Sequence, residues 1–424
     1  MLVALAFITY LDRVCISITA PAMMRDLKLS PIQMSIIFSA FTATYAIFEI
    51  PTGWWGDRRG TRVVLTRIVT WWSCFTGLTA SAWSFSSLAA VRALFGGGEA
   101  GAWPNVARTL SRWFPARERG TAQGIFFMGA HLGGGVTPFA VAAVTAVLPW
   151  RAVFPIFGSI GLVWAIGWYR WFRDEPREHS SVTEGEREWI ETQRMIAEHA
   201  GRGSIAKAAL RNPSIWFLCL MYFTQTYGFT LYVTWLPSYL QREKLVHGLT
   251  LSILSGLPLL LSVIADLTGG MTTDATTRHY GLRAGRCLTG GIALALAGLF
   301  LLAGTFTAGT AAGVLIAFAA AFSNFLLGAS WGACVDLAGT HAGAISAAMN
   351  TAGQVGGVLS PIVFAILTRN THSWAMPLVL TAILYLLGAG CWLFIHPERP
   401  LVSNVITDPT AQSGRCRQER TTEA

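Results

Sequence analysis

Long apolar stretches recur along this chain from one end to the other, and nothing else in the sequence restricts the fold as much. A backbone that crosses lipid has no water to bond. Every N–H and C=O must then be satisfied within the segment, which an α-helix achieves. Roughly 20 apolar residues at ~1.5 Å each cross a ~30 Å hydrocarbon core. By that measure the chain holds about twelve candidate spans, near residues 1–20, 34–54, 64–82, 84–107, 121–146, 151–172, 213–240, 249–270, 285–305, 310–332, 342–367 and 373–395. Charged residues make up 12% of the chain, half the ~25% of soluble proteins. The expected fold is all-α and integral to the membrane, with about twelve transmembrane helices.

Lys and Arg set the expected orientation. With both termini cytoplasmic, the cytoplasmic loops hold Arg58, Arg59 and Arg62, then Arg108, Arg112, Arg117 and Arg119, the run 173–211, and Arg278, Arg283 and Arg286. The tail adds Arg399, Arg415, Arg417 and Arg420, whereas the opposite side has only Arg25, Lys28, Arg151, Arg242, Lys244 and Arg369. This asymmetry follows the positive-inside rule, so the net charge of +9 reads as topology and not as nucleic-acid binding. The result is a multi-pass protein of the cell membrane, expected to be a monomer with the lipid bilayer as its surroundings. Eleven residues precede Asp12 and none of them is basic. We therefore expect the natural start to lie upstream, with a short Lys/Arg-containing segment.

The stretch 173–211 is the only long polar segment between spans, and Glu184, Glu186, Arg187, Glu188, Trp189, Glu191 and Arg194 give it the pattern of an amphipathic surface helix. It divides the chain into a six-helix bundle at 1–172, a linker at 173–211, a second six-helix bundle at 212–396 and a tail at 397–424. The halves repeat weakly. Leu132-Gly133-Gly134-Gly135-Val136-Thr137-Pro138 corresponds to Val355-Gly356-Gly357-Val358-Leu359-Ser360-Pro361. Gly53, Asp57, Arg58, Gly60 and Arg62 after the second span correspond to Gly270, Asp274 and Arg278 after the eighth. Two related halves are a transporter pattern.

Several chemistries find no support. The seven Cys show no CxxC and no metal spacing. No P-loop occurs, which argues against ATP as the driving force, and no Ser-His-Asp arrangement or metal cluster lies in any loop. We expect no cofactor, no metal and no enzymatic activity.

Four charges stand inside apolar stretches: Asp12, Arg13, Arg92 and Glu99. A charge at the bilayer centre costs about 2.5–3.5 kcal/mol even on lenient scales, and it persists where it pairs or faces a watery cavity. Arg92 and Glu99 stand close to two turns apart and so face the same way, with Gly96, Gly97 and Gly98 between them to let a neighbouring helix approach. That neighbour is expected to be the first span. Asp12 and Arg13 are adjacent and diverge by roughly 100°, so one is expected to look toward Glu99 and Arg92 and the other into the cavity. For Arg92 and Asp12 a purely structural ion pair is the competing role.

The segment Gly53-Trp54-Trp55-Gly56-Asp57-Arg58-Arg59-Gly60-Thr61-Arg62 resembles the loop signature of the major facilitator superfamily. Three further stretches are similar to its anion:cation symporter family. These are Tyr10-Leu11-Asp12-Arg13, Arg92 through Glu99 to Trp103-Pro104-Asn105, and Arg112-Trp113-Phe114-Pro115-Ala116-Arg117-Glu118-Arg119. Two positions depart from the pattern. Glu49 stands where the sugar-acid members have Gln, and Trp103 replaces Phe before Pro104.

The resemblance implies proton-coupled uptake of an organic anion such as an aldonate, aldarate or hexuronate, with a small carboxylate and a proton as partners. Asp12 and Glu99 would then carry the proton. Arg13 would clamp the anion, since guanidinium grips carboxylate bidentately, with Arg92 beside it. Tyr45, Tyr222, Gln225, Ser330, Trp331 and Asn350 could each hydrogen-bond or stack on the substrate, or else cross-link helices. Asp57, Arg58 and Arg62 read as a cytoplasmic gate. His131, a lone His beside a Gly run, reads as a packing or hydrogen-bonding residue before a proton relay. Asp266 reads as lying near the membrane interface. The four charges sum to zero when ionised, so an incoming anion would need a proton to balance it. An exporter or exchanger on the same scaffold, or a membrane sensor that does not transport, are the alternatives.

Overall fold

The computed structural model describes residues 1–194, 205–399 and 401. Among these residues every regular element is helical. In the first half α1 is Leu2–Asp26, α2 Pro31–Arg59, α3 Thr61–Leu78, α4 Phe85–Glu99, α5 Ala102–Trp113, α6 Arg119–Thr145 and α7 Val153–Trp171. The polar α8 (Glu184–Arg194) and the short α9 (Ile205–Arg211) follow. In the second half α10 is Pro213–Thr234, α11 Leu236–Arg242, α12 Gly248–Tyr280, α13 Leu282–Phe306, α14 Gly309–Phe325, α15 Leu327–Ala338, α16 Ala342–Thr371 and α17 Ala375–Cys391. The pairs α4/α5, α10/α11 and α14/α15 are broken spans, so twelve spanning units result. Residues 195–204 of the linker, and Arg415, Arg417 and Arg420 of the tail, lie outside the described residues.

Local chemistry starts and stops these helices where the sequence provides for it. Ser30 and Gln33 form a reciprocal capping box before α2, with Pro31 at the first helical position. Ser84 and Ser87 do the same for α4. Span 4 breaks at Ala100–Gly101, where Gly101 takes φ +83°. Inside the spans hydroxyls turn back onto their own helix: Thr137 donates to the Gly133 carbonyl and Thr381 to that of Pro377. That satisfies them without water.

The outside of the bundle is apolar and the inside is small. Phe139, Val163, Leu260 and Phe306 stand on the exposed surface, while Gly and Ala positions such as Ala312, Ala317, Ala319 and Ala320 are sealed. This is the reverse of a soluble protein's economy and suits a lipid surround, where close helix packing depends on small residues. The chain is a multi-pass membrane protein.

Within the first half α1 packs on α6, α2 on α4 and α3 on α7. Within the second α10 packs on α16, α12 on α14 and α13 on α17. Between the halves the main crossings are α2 with α16 and α6 with α12. Each crossing is tight because it is glycine on glycine. A Cβ on Gly53 would stand 2.5 Å from the Gly343 carbonyl oxygen, and one on Gly270 would stand 2.4 Å from that of Gly120. No side chain fits at that distance, so both crossings require glycine at these points.

Candidate functional site

The two halves enclose a small central cavity of about 80 Å³. Tyr10 and Arg13 reach it from α1, Trp103 from α5, and Phe127 and His131 from α6. Tyr222 and Gln225 come from α10, Asn324 from α14, Trp331 from α15 and Asn350 from α16.

Arg13 is the cation of this cavity. Its Nε lies 2.5 Å from Glu99 Oε1. Its guanidinium sits over the Tyr45 ring at 4.7 Å and is flanked by Phe41 at 5.4 Å and Trp103 at 5.9 Å. Aromatic faces on three sides hold the planar group in place. One guanidinium nitrogen, Nη2, and the second Glu99 oxygen, Oε2, are buried with no hydrogen-bond partner. The pair is therefore only half satisfied.

Asp12 turns the other way, as its adjacency to Arg13 requires. It is buried, and neither carboxylate oxygen has a hydrogen-bond partner. Arg92 is also buried and does not line the cavity. It lies over Phe95 at 4.3 Å and Phe41 at 5.2 Å, and its Nε has no partner. Of the four charges noted in the sequence, Arg13 and Glu99 are brought into contact. Asp12 and Arg92 stay behind them.

Two more acids join this core. Glu49 on α2 is fully buried, accepts from Asn350 Nδ2 and Thr351 Oγ1 on α16, and so ties the halves together. Asn350 also donates to the Tyr45 hydroxyl at 3.4 Å. Asp266 on α12 corrects the expectation of an interfacial position. It is fully buried, with Oδ2 2.5 Å from Nδ1 of His131 on α6. His131 is thus not a lone residue.

The polar residues divide. Tyr222 accepts from the Trp331 indole N–H at 3.1 Å, and the Gln225 amide donates to Asn324 at 3.3 Å. Ser330 corrects the reading that put it in the cavity: its hydroxyl bonds the Leu327 carbonyl of its own helix. One residue of rotation, about 100°, separates it from Trp331.

At the end of the bundle where the chain starts at Met1, a latch joins the halves. Asp57 accepts from the backbone N–H groups of Gly343 and Ala344, at 2.9 and 2.8 Å, and lies 3.2 Å from Arg108. Gly343 and Ala344 open α16, so the carboxylate caps a helix N-terminus, where partial positive charge favours it. Asp274 does the same at the other crossing. It accepts from Gly120 and Thr121 at the start of α6, at 2.9 and 2.6 Å, and meets Arg286 at 3.3 Å. Arg286 also reaches Asp336 at 3.1 Å, and Asp336 reaches Arg119 at 2.7 Å.

Arg58 and Arg62, grouped with Asp57 from the sequence, take no part. Arg58 is exposed over Trp54 at 3.8 Å. Arg62 donates to the Tyr169 carbonyl of α7 at 2.8 Å. Arg58 is a turn of about 100° away from Asp57, and Arg62 belongs to the next helix. The repeat of Asp57 in Asp274 was visible in the chain. The partners Arg108, Arg119, Arg286 and Asp336 carried no signal beyond their charge near a helix end.

Asp57→Ala removes two charge-assisted bonds, together on the order of 2–3 kcal/mol or more, so the ratio of latched to open protein should fall about 30-fold. A single cysteine at Thr226, which lines the cavity, should then label faster from the Met1 side. Unchanged labelling in both Asp57→Ala and Asp274→Ala would remove the latch assignment.

The comparisons with known proteins agree with this architecture. The family model described as Major Facilitator Superfamily matches residues 2–361. A Cupriavidus necator protein named Probable sulfoacetate transporter is 34% identical over 397 residues, covering 92% of this chain and 91% of its own. A hexuronate transporter of Bacillus subtilis is 28% identical, covering 87% and 86%. In fold, the proton:xylose symporter matches with TM-score 0.74 at 15% identity over 94% of this chain and 96% of its own. The E. coli fucose:proton symporter matches with 0.71 at 12%, over 93% and 97%. The chain belongs to the major facilitator superfamily and resembles its anion:cation symporter family.

Proposed function

We propose that this protein is a secondary transporter, not an enzyme, and that it brings a small organic anion into the cell together with a proton. The anion is of the sulfonate or sugar-acid class carried by its named relatives. One observation carries the reading. Arg13, the one arginine among the described residues lining the cavity, is half paired with a buried carboxylate, Glu99, and each partner keeps one unsatisfied polar atom.

That geometry couples two ligands. An anion needs the face of Arg13 that Glu99 now shares, and Glu99 releases it at least cost by taking a proton on Oε2. A proton favours the anion and the anion favours the proton, which is the reciprocity symport needs. The charge balance points the same way. Four buried carboxyl groups, Asp12, Glu49, Glu99 and Asp266, face two arginines, Arg13 and Arg92. Four less two leaves −2 with all carboxyls ionised and His131 neutral. Adding an anion to that core without protons is strongly disfavoured.

The cavity is smaller than the ~300–1,000 Å³ of ordinary ligand sites, so the latched state must widen to take a sugar acid. With the Met1 end cytoplasmic, as the Lys/Arg asymmetry implies, the latch of Asp57 and Asp274 closes the cytoplasmic side. The next entry into the cycle is then from outside. We take the working unit to be a monomer, since all the groups invoked lie within one chain.

Proteoliposomes containing the purified protein test this. Sulfoacetate, galactonate, galactarate and a hexuronate are offered under an inward proton gradient. We expect accumulation of at least one above equilibrium, abolished by a protonophore. Exchange without gradient-driven accumulation would make the protein an exchanger. No movement of any organic anion would overturn the reading.

A further inference from the structure

Beyond the four charges, a further buried pair stands at the same cavity. His131 lines it from α6, while its Nδ1 is held 2.5 Å from Asp266 Oδ2 on α12. Both residues are buried, and Asp266 Oδ1 has no partner. A histidine that merely packs would not need a carboxylate from the other half of the molecule. With Nδ1 committed to Asp266, the ring has one nitrogen left, Nε2, for anything entering the cavity.

We propose that His131, held by Asp266, is a second anion-binding group, and that the cavity takes a small dianion with one charged head on Arg13 and the other on His131. This rests on the reading of Arg13 as the anion clamp. The chemistry follows from the ring's two nitrogens. In neutral His131 with its proton on Nδ1 toward Asp266, Nε2 can only accept a hydrogen bond, and an anionic oxygen would be repelled. When a proton from the aqueous phase binds Nε2, the ring becomes a cation with both nitrogens donating. Nδ1–H stays on Asp266 and Nε2–H meets the anionic head. No bond other than N–H forms. The proton and the second head therefore arrive together, as at Glu99 for the first head.

The surroundings suit this role. Tyr10 on α1 faces the imidazole with ring centroids 6.1 Å apart, and Phe229 on α10 lies at 5.6 Å. The titratable or charged groups around the cavity and the pair are Tyr10 and Arg13 on α1, with Glu99 of α4 on Arg13, Tyr222 on α10, Asp266 on α12, and Glu49 of α2 behind Asn350. The contributions of α14 and α15 to the cavity, Asn324, Leu327 and Trp331, are uncharged. Among the described residues lining the cavity, Arg13 and His131 are thus the two that can present positive charge. Because the pair bridges α6 and α12, which form one of the two main crossings between the halves, occupancy of the second head also bears on the contact that must move.

Two matched ligand pairs test the proposal on the full-length purified protein. Sulfoacetate and 2-hydroxyethanesulfonate differ only by a carboxylate against CH2OH, and so do galactarate and galactonate. By titration calorimetry near pH 6 the wild type should prefer the dianion of at least one pair. His131→Gln should weaken that dianion about tenfold or more and its monoanionic mate less than about twofold. Asp266→Asn should weaken the dianion in the same selective way. Retained monoanion binding shows that the variants are folded. Equal loss for both members of a pair, no loss, or no dianion preference in the wild type overturns the proposal. Arg13→Lys should weaken both members. If it weakens neither, or if the wild type binds none of the four, the anion-clamp reading itself fails.

Discussion

Arg13→Ala is expected to lower substrate uptake about a hundredfold or more while the protein still reaches the membrane. Losing a bond between a charged side chain and the substrate costs about 1.5–3 kcal/mol, and the buried Glu99 carboxylate is left without its partner. Here the same change also removes the cavity's arginine. Arg13→Lys separates charge from shape. An ammonium keeps the charge but cannot lie between the Tyr45, Phe41 and Trp103 rings or present a planar fork. Apparent affinity should drop by roughly tenfold. Initial uptake rates against substrate concentration, normalised to surface expression, check both. Wild-type affinity in Arg13→Lys would reduce this residue to a packing role.

The second large effect concerns Glu99. Glu99→Gln keeps an oxygen for Arg13 Nε but cannot exchange a proton. We expect accumulation against a gradient to vanish, while exchange of labelled for unlabelled substrate across the membrane survives at a fraction of the wild-type rate. A Glu99→Gln variant that still concentrates substrate when the outside is acidified would place the coupling proton elsewhere, with Asp12 the first alternative. Because Asp12, Glu99 and Arg92 share one buried cluster, Asp12→Asn should also impair transport, and the two carboxyls should titrate as a pair.

Much of the architecture is legible in the chain itself. Lipid penalises an unpaired peptide group and a bare charge wherever they occur, so windows of composition reveal spans and misplaced charges without knowledge of the packing. The count of about twelve spans, the two-half organisation and the repetition of Asp57 as Asp274 all come from local pattern. So does the divergence of Asp12 from Arg13, which follows from helical rotation alone.

What remained hidden depended on which faces meet. A span that is apolar on every side does not declare its rotation, so Ser330 and its neighbour Trp331 could not be told apart as cavity residues. The His131–Asp266 contact joins positions 135 residues apart, and the Glu49–Asn350 contact joins positions 301 apart. Both cross between halves. The sequence by itself determined that this is a membrane-embedded helical bundle with charges buried inside it, because those follow from the cost of each residue in lipid. Only the tertiary structure decided that Glu49 and Asp266 belong among them, that His131 is held rather than loose, and that Arg58 and Arg62 stand outside the latch. Those outcomes are set by the glycine-tight crossings of α2 with α16 and α6 with α12, where a shift of one residue turns a side chain by about 100° and gives it a different partner.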